Sequence, residues 1–214
     1  MSYHLVKDYY RQKHYDFFSQ YKYPFYGITV ELDIQYLQAF CRQFQYSLNT
    51  NLCYLCVKAM SGIEDFRFRI YDDDIVLYDK LHFRMLVPNK DQPYTVVRLF
   101  FDEDIGAFNK KAAEAIEHAY EHFSLEEEKA HLNFVYFSAL PKVAFTSLTH
   151  LPEDNATDTV PKITFGKFRK EGEKVLLPIG LQVNHRFIDG EHLSALVENM
   201  QYLYNNPADE LPQG

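Results

Sequence analysis

Residues 176–204, LLPIGLQVNHRFIDGEHLSALVENMQYLY, leave little freedom of fold. LLPIGLQV is an almost unbroken apolar run, suited to a buried strand. After Gly190, the residues Leu193, Leu196, Val197, Met200 and Leu203 recur at helical spacing, so a core-facing helix follows. Between the two, His185 leaves the strand at a short turn with Asp189 four residues on. An imidazole held at a strand end is placed to take a proton from a substrate hydroxyl. Asp189 can fix the turn through backbone or a cation, and Gly190 accepts backbone angles closed to other residues. At this composition, chance supplies only about 0.02 occurrences of H-x-x-x-D-G. The pattern alone also suits a buried structural histidine.

Upstream, HYDFFSQY suits one or two helical turns, and FYGITVELDI (25–34) alternates as a strand, with Gly27 permitting close approach of another backbone. Asp33 is a plausible N-cap for a helix through IQYLQAFCRQFQYSL (34–48). A second helix over 50–62, apolar nearly all round, should be central to the core. FRFRIYDDDIVLYD (66–79) reads as a hairpin, continued in the same sheet by HFRMLVP (82–88) and YTVVRLFF (94–101). Residues 102–123 form an exposed amphipathic helix. LNFVYFSALP (132–141), VAFTSLTH (143–150), VPKITFGKF (160–168) and KVLLPIGLQVNH (174–185) then give four further strands. Neither linker nor repeat interrupts the chain. The expectation is one α/β domain over 1–214, with 207–214 as a tail: a single-domain two-layer sandwich of a large mixed sheet with packed helices.

A formal net charge of −8 and the lack of a basic stripe exclude nonspecific nucleic-acid binding. No apolar run approaches the length of a membrane span, and MSYHLVKDYYRQKHYDFF lacks the core of a signal peptide, so a cytoplasmic protein is expected. Cys53 and Cys56 form a C-x-x-C without a second pair at zinc spacing, which favours buried thiols on a core helix. Asp72, Asp73 and Asp74 lack the spaced ligands of a calcium loop and are read as a solvated turn. His118 and His122 share a helix face but lack the H-E-x-x-H pattern, so no metal is expected.

The placement of H-x-x-x-D-G after LLPIGLQV and before an amphipathic helix resembles the chloramphenicol acetyltransferase family, whose signature is V-x-H-x-x-x-D-G. RQKHYDFF (11–18) resembles that family's R-x-x-H-F segment, AFTSLT (144–149) its F-x-S-F segment, and ITFGKF (163–168) its T-M-x-K-Y strand. FRFRIYDDDIVLYD resembles its F-R hairpin. The similarity covers almost the whole chain in the right order.

The resemblance implies acyl transfer from acetyl-CoA without a covalent enzyme intermediate. His185 would take the proton of an acceptor hydroxyl, and Ser147 would donate to the developing oxyanion, with Thr164 helping through a bound water. Asp189 would pair with Arg11 to hold the histidine turn. Lys167, Phe168 and Thr164 would lie along the coenzyme, while Tyr26, Phe25 and Val87 would face the acceptor. The implied assembly is a homotrimer with active sites between subunits.

The chain also departs from the family pattern. Asn184 replaces the first histidine of the family's pair, Phe168 replaces the tyrosine, and an aromatic wall near Val87 is missing. After Ser147 the chain carries Glu153, Asp154 and Asp158 where drug-acetylating members are apolar. Burying carboxylates against an apolar drug is costly, so the acceptor is expected to be chloramphenicol or a more polar alcohol. The alternatives are a non-catalytic CoA- or drug-binding homologue, and a dihydrolipoamide acyltransferase core, which the absence of a lipoyl domain disfavours. A zinc protein using His118 and His122, or His185 and His192, is more remote.

Overall fold

The computed structural model describes residues 3–125, 132–151 and 157–211. Its centre is β10 (Lys174–Asn184), the apolar strand that precedes His185. β10 pairs antiparallel on one side with β2 (Phe25–Asp33), and on the other with β8 (Lys162–Phe165) and β9 (Arg169–Glu171). β7 (Phe134–Ala139) runs parallel to β8, β5 (His82–Val87) parallel to β7, and β6 (Thr95–Leu99) antiparallel to β5. The result is the large mixed sheet expected, in the order β2-β10-β8-β7-β5-β6.

Strand alternation divides this sheet into two unlike faces. Val175, Leu177, Ile179, Leu181 and Val183 of β10 point into the core, as do Ile163 and Phe165 of β8 and Val135 and Phe137 of β7. The helices close over that side. α2 (Gln35–Phe44), α3 (Leu48–Ser61) and α5 (Gly190–Asn205) pack against one another and the sheet, while α4 (Ile105–Glu121) covers β5 and β6. α3 is buried almost all round, and Cys53 and Cys56 on it are free thiols with no exposed surface. Gly180 and Gln182 of β10, Thr164 of β8, Ser138 of β7 and Arg84 of β5 lie on the alternate positions, on the face the helices leave uncovered.

Four expectations need correction. The helix expected through 34–48 stops at Phe44, because Gln45 turns left-handed (φ 58°) and the Tyr46 N–H closes back on the Cys41 carbonyl at 2.8 Å. Ser47 then starts α3, its hydroxyl accepting from the Thr50 N–H. The hairpin of β3 (Phe68–Tyr71) and β4 (Asp74–Tyr78) forms as expected, with Asp72 and Asp73 both at positive φ in its turn. It does not join the main sheet. It pairs instead with β1 (Tyr3–Leu5), and its Ile70 N–H is taken by Thr159 Oγ1 at 3.2 Å.

The third correction is VAFTSLTH, which is no strand. Residues 143–150 lie over the uncovered face with Leu148 seated on Gly180, where a Cβ would come within 2.7 Å of Leu148 Cδ2. Its apolar residues Phe145 and Leu148 therefore anchor the segment over Gly166 and Gly180 and pair in no ladder. Last, Asp158 is no free carboxylate lining a pocket, since it pairs with the Lys162 ammonium at 2.8 Å. Glu153 and Asp154 lie outside the described residues. Residues Pro207–Glu210 form a short 3-10 turn in which Glu210 pairs with Lys58 of α3.

His118 in the last turn of α4 and His122 just past its end stack on each other at 4.1 Å. Among the described residues, no group of three or more His, Cys, Asp or Glu is arranged to hold a metal. No helix among the described residues is long and apolar enough to cross a membrane.

Close approach of β2 to β10 depends on Gly27, where a Cβ would meet the Leu181 carbonyl oxygen at 2.8 Å. A backbone atom within a ladder cannot swing aside, so Gly27→Ala should destabilise the fold by about 1–3 kcal/mol. Denaturant unfolding of the two proteins checks this; an unchanged midpoint would remove the constraint.

Candidate active site

His185 is delivered by a turn that Asn184 organises. The Asn184 carbonyl accepts from the Phe187 and Ile188 N–H groups at 3.2 and 3.1 Å, its Oδ1 accepts from the Arg186 N–H, and its Nδ2 donates to the Asp158 carbonyl at 2.8 Å. The His185 N–H donates to the Pro24 carbonyl at 2.7 Å, which continues the β2–β10 ladder by one bond. The ring is held between Phe18, 3.9 Å away and stacked, and Tyr26, stacked at 4.8 Å. Its Nδ1 lies 2.8 Å from the Ile188 carbonyl oxygen. A carbonyl only accepts, so Nδ1 must carry the hydrogen, and the neutral ring keeps its lone pair on Nε2.

Around this turn the expected partner is present, together with others. Arg11, the residue just before α1 (Gln12–Ser19), binds the Phe187 carbonyl at 2.7 Å and forms an ion pair with Asp189. Asp189 also caps α5, accepting from the Glu191 and His192 N–H groups. The His192 ring bridges two carboxylates, with Nδ1 2.8 Å from Asp189 and Nε2 3.2 Å from Asp65. Asp65 is buried and receives the Tyr10 hydroxyl at 2.7 Å. On α1, His14 Nε2 donates to the His185 carbonyl at 2.8 Å.

The charges support one another. The hydrogen bond to Asp65, then the two carboxylate charges, raise the His192 titration above its ordinary value against the effect of burial. Burial pushes the Asp65 and Asp189 carboxyls up. It is outweighed at Asp65 by hydrogen bonds from His192 and Tyr10, and at Asp189 by the His192 ring, backbone N–H groups and Arg11, so both are held below the usual range.

The remaining sequence-derived residues fall into two other places. Thr164 is buried on the uncovered face and lines a cavity of about 410 Å³ with Arg84, Tyr136, Ser138, Leu148 and Lys162. Ser147 is exposed in a neighbouring cleft with Gly27, Thr29 and Gln182. Neither the cavity nor the cleft is lined by His185. Lys167 and Phe168 are exposed beside Val87 in a third cleft of about 560 Å³. Val87 is thereby grouped with these two residues and not with Tyr26. Phe25, half-buried, opens β2 opposite Asn184.

Three contributors to this network escaped the sequence reading, and a fourth, His192, was considered only as a zinc ligand. Phe18 and His14 stood inside the quoted RQKHYDFF. Asp65 gave no signal, because its partners lie 54 or more positions away.

The network predicts a pH window. His192, titrating higher when folded, contributes stability below its ordinary 6.5 and loses it as pH rises through the raised value. Asp65 and Asp189, titrating lower when folded, contribute above their ordinary 3.8 and lose it on acidification through the lowered values. Unfolding free energy should therefore peak between those limits, and His192→Gln should flatten the alkaline limb and also weaken the acid limb, because His192 helps to hold Asp65 and Asp189 low. Denaturant titrations across pH check this, and an alkaline limb unchanged in the variant would rule it out.

Comparison with known proteins bears on the family and the fold. The family model described as chloramphenicol acetyltransferase matches residues 1–201. Chloramphenicol acetyltransferase of Bacillus pumilus is 28% identical over 93% of this chain and 91% of its own. Chloramphenicol acetyltransferase 3 of Escherichia coli is 27% identical over 94% and 95%. A solved chloramphenicol acetyltransferase superposes with a TM-score of 0.88 at 22% identity, over 95% of this chain and 100% of that one. The dihydrolipoamide acetyltransferase of Azotobacter vinelandii shares the fold with a TM-score of 0.68 at 16% identity, over 93% and 88%. With a matching family model over nearly its whole length and the fold to go with it, the chain belongs to the chloramphenicol acetyltransferase family and is an acyltransferase.

Proposed function

We propose that this acyltransferase moves an acetyl group from acetyl-CoA to a hydroxyl of a small molecule, at sites completed between copies of the chain in a homotrimer. The observation that carries the reading is the His185 ring: Nδ1 is tied to the Ile188 carbonyl, so the lone pair sits on Nε2, and Phe18 and Tyr26 fix the plane. A base must present that lone pair to an acceptor O–H. As the acceptor oxygen attacks the thioester carbonyl, Ser147 donates to the oxyanion and Thr164 adds a second hydroxyl to the same region. Arg11 and Asp189 hold the turn and do not relay the proton. Lys167 and Phe168 receive the coenzyme, and Val87, which lines their cleft, contacts that end of the substrate pair. Tyr26 and Phe25, at the histidine end, flank the acceptor.

The division of His185 from Ser147 within one chain supports a shared site. The uncovered sheet face carries Ser147 and Thr164, and a second copy laid on it would supply the histidine. The acceptor cavity is largely apolar but contains Arg84, Lys162, His150 and Tyr136. This favours a more polar alcohol than chloramphenicol. A cytoplasmic setting, where acetyl-CoA is available, goes with this reading.

The test is CoA thiol release from acetyl-CoA with a panel of hydroxyl acceptors that includes chloramphenicol. His185→Ala should abolish release. Ser147→Ala should lower kcat by about 10²–10³ with little change in KM for acetyl-CoA. Acceptor binding without release by the wild type would instead identify a non-catalytic binding protein. Mixed oligomers of His185→Ala and Ser147→Ala subunits should regain part of the activity, since some interfaces then pair an intact histidine with an intact serine. No recovery would place each site within one chain. Arg11→Ala should cut kcat at least tenfold while the protein stays folded, and wild-type kinetics would remove its positioning role.

A further inference from the structure

Thr164 is buried, and its hydroxyl meets His150, whose Nε2 lies 3.0 Å from Thr164 Oγ1. His150 lines the 410 Å³ cavity that Thr164 faces, and also the cleft that holds Ser147. It therefore stands in the partition between the two hydroxyls. Ser147 and His150 are carried on one segment, and Leu148 between them is seated on Gly180. The serine and the histidine are thus carried on one anchored segment, and the histidine contacts the threonine.

Burial, then the nearby Lys162 charge, lower the His150 titration, so the ring is neutral and has a single N–H. A neutral imidazole at this distance has two arrangements. If Nε2 carries the lone pair, it accepts the Thr164 proton, and that hydroxyl has no donor left for anything in the cavity. If Nε2 carries the hydrogen, it donates to Oγ1, and the Thr164 proton is free to point into the cavity. The tautomer of His150 decides whether Thr164 is a donor.

We propose that His150 is a positioning residue for acyl transfer, donating Nε2–H to Thr164 Oγ1 so that the threonine proton is directed at the reacting centre. This rests on the acyl-transfer reading above. His150 touches no reacting atom; it acts by orienting a hydroxyl whose donated hydrogen bond strengthens as negative charge develops on the carbonyl oxygen.

Steady-state kinetics and ring nitrogen spectra test it together. His150→Phe should lower kcat about tenfold or more with KM for acetyl-CoA unchanged, and Thr164→Val should do the same. The double variant should be no slower than the slower single one, because the two residues act as a unit. His150→Gln should recover most of the rate, since its amide N–H reaches the position of Nε2–H. A 15N spectrum of the wild-type protein should show His150 as the Nε2–H tautomer. Losses that multiply in the double variant, a Gln variant as slow as Phe, or an Nδ1–H tautomer would each overturn the proposal while wild-type turnover stands. No CoA release by the wild type with any acceptor would overturn the acyl-transfer reading and this proposal with it.

Discussion

The ion pair between Arg11 and Asp189 ties together the two ends of the chain. Arg11 precedes the first helix, and Asp189 caps the last. The same guanidinium holds the Phe187 carbonyl, so a single side chain fixes the helix start and the turn that aims His185. Burying a charge on either side alone would be costly, which is why neither is left alone. His192 and Asp65 extend the pair into an alternating row of cations and carboxylates, and Tyr10 gives its hydroxyl to the end of that row. Such a row has a definite geometry, whereas apolar packing alone would let the turn slide.

The second constraint is the one-sided cover of the sheet. Five inward residues of β10 fill the core against α2, α3 and α5, and their outward neighbours cannot do the same because no helix lies over them. That face carries glycine, threonine, glutamine, serine and arginine, together with the irregular 143–150 segment. Polar groups concentrate where water or another chain must satisfy them. The division explains why Ser147 and Thr164 sit on cavities that exclude His185: the histidine belongs to the end of β10, the hydroxyls to its flank.

Much of this was legible in the chain. The apolar run into His185, the helical stripe after Gly190, the hairpin turn of paired aspartates and the buried α3 all follow from local pattern, because each element satisfies its own backbone and shows its period. The motif resemblance also carried the pairing of Arg11 with Asp189 across 178 positions. VAFTSLTH misled because an apolar pattern cannot distinguish a strand from a segment anchored by Phe145 and Leu148 over glycines. The small sheet of β1, β3 and β4 was missed because a hairpin's own pattern does not say which edge it will join.

The sequence by itself determined most of the helices, the strands of the main sheet and the histidine turn, since these rest on periodicity and on a compact motif; Arg11 came from the family resemblance. Only the tertiary structure decided which groups meet across the sheet. Asp65 reaches His192, Thr159 takes the Ile70 amide, and His150 finds Thr164 through the close seat of Leu148 on Gly180. The reason is physical: a hydrogen bond needs two atoms within about 3 Å. No spacing along a chain fixes that distance between residues on different elements until the backbone has closed around them.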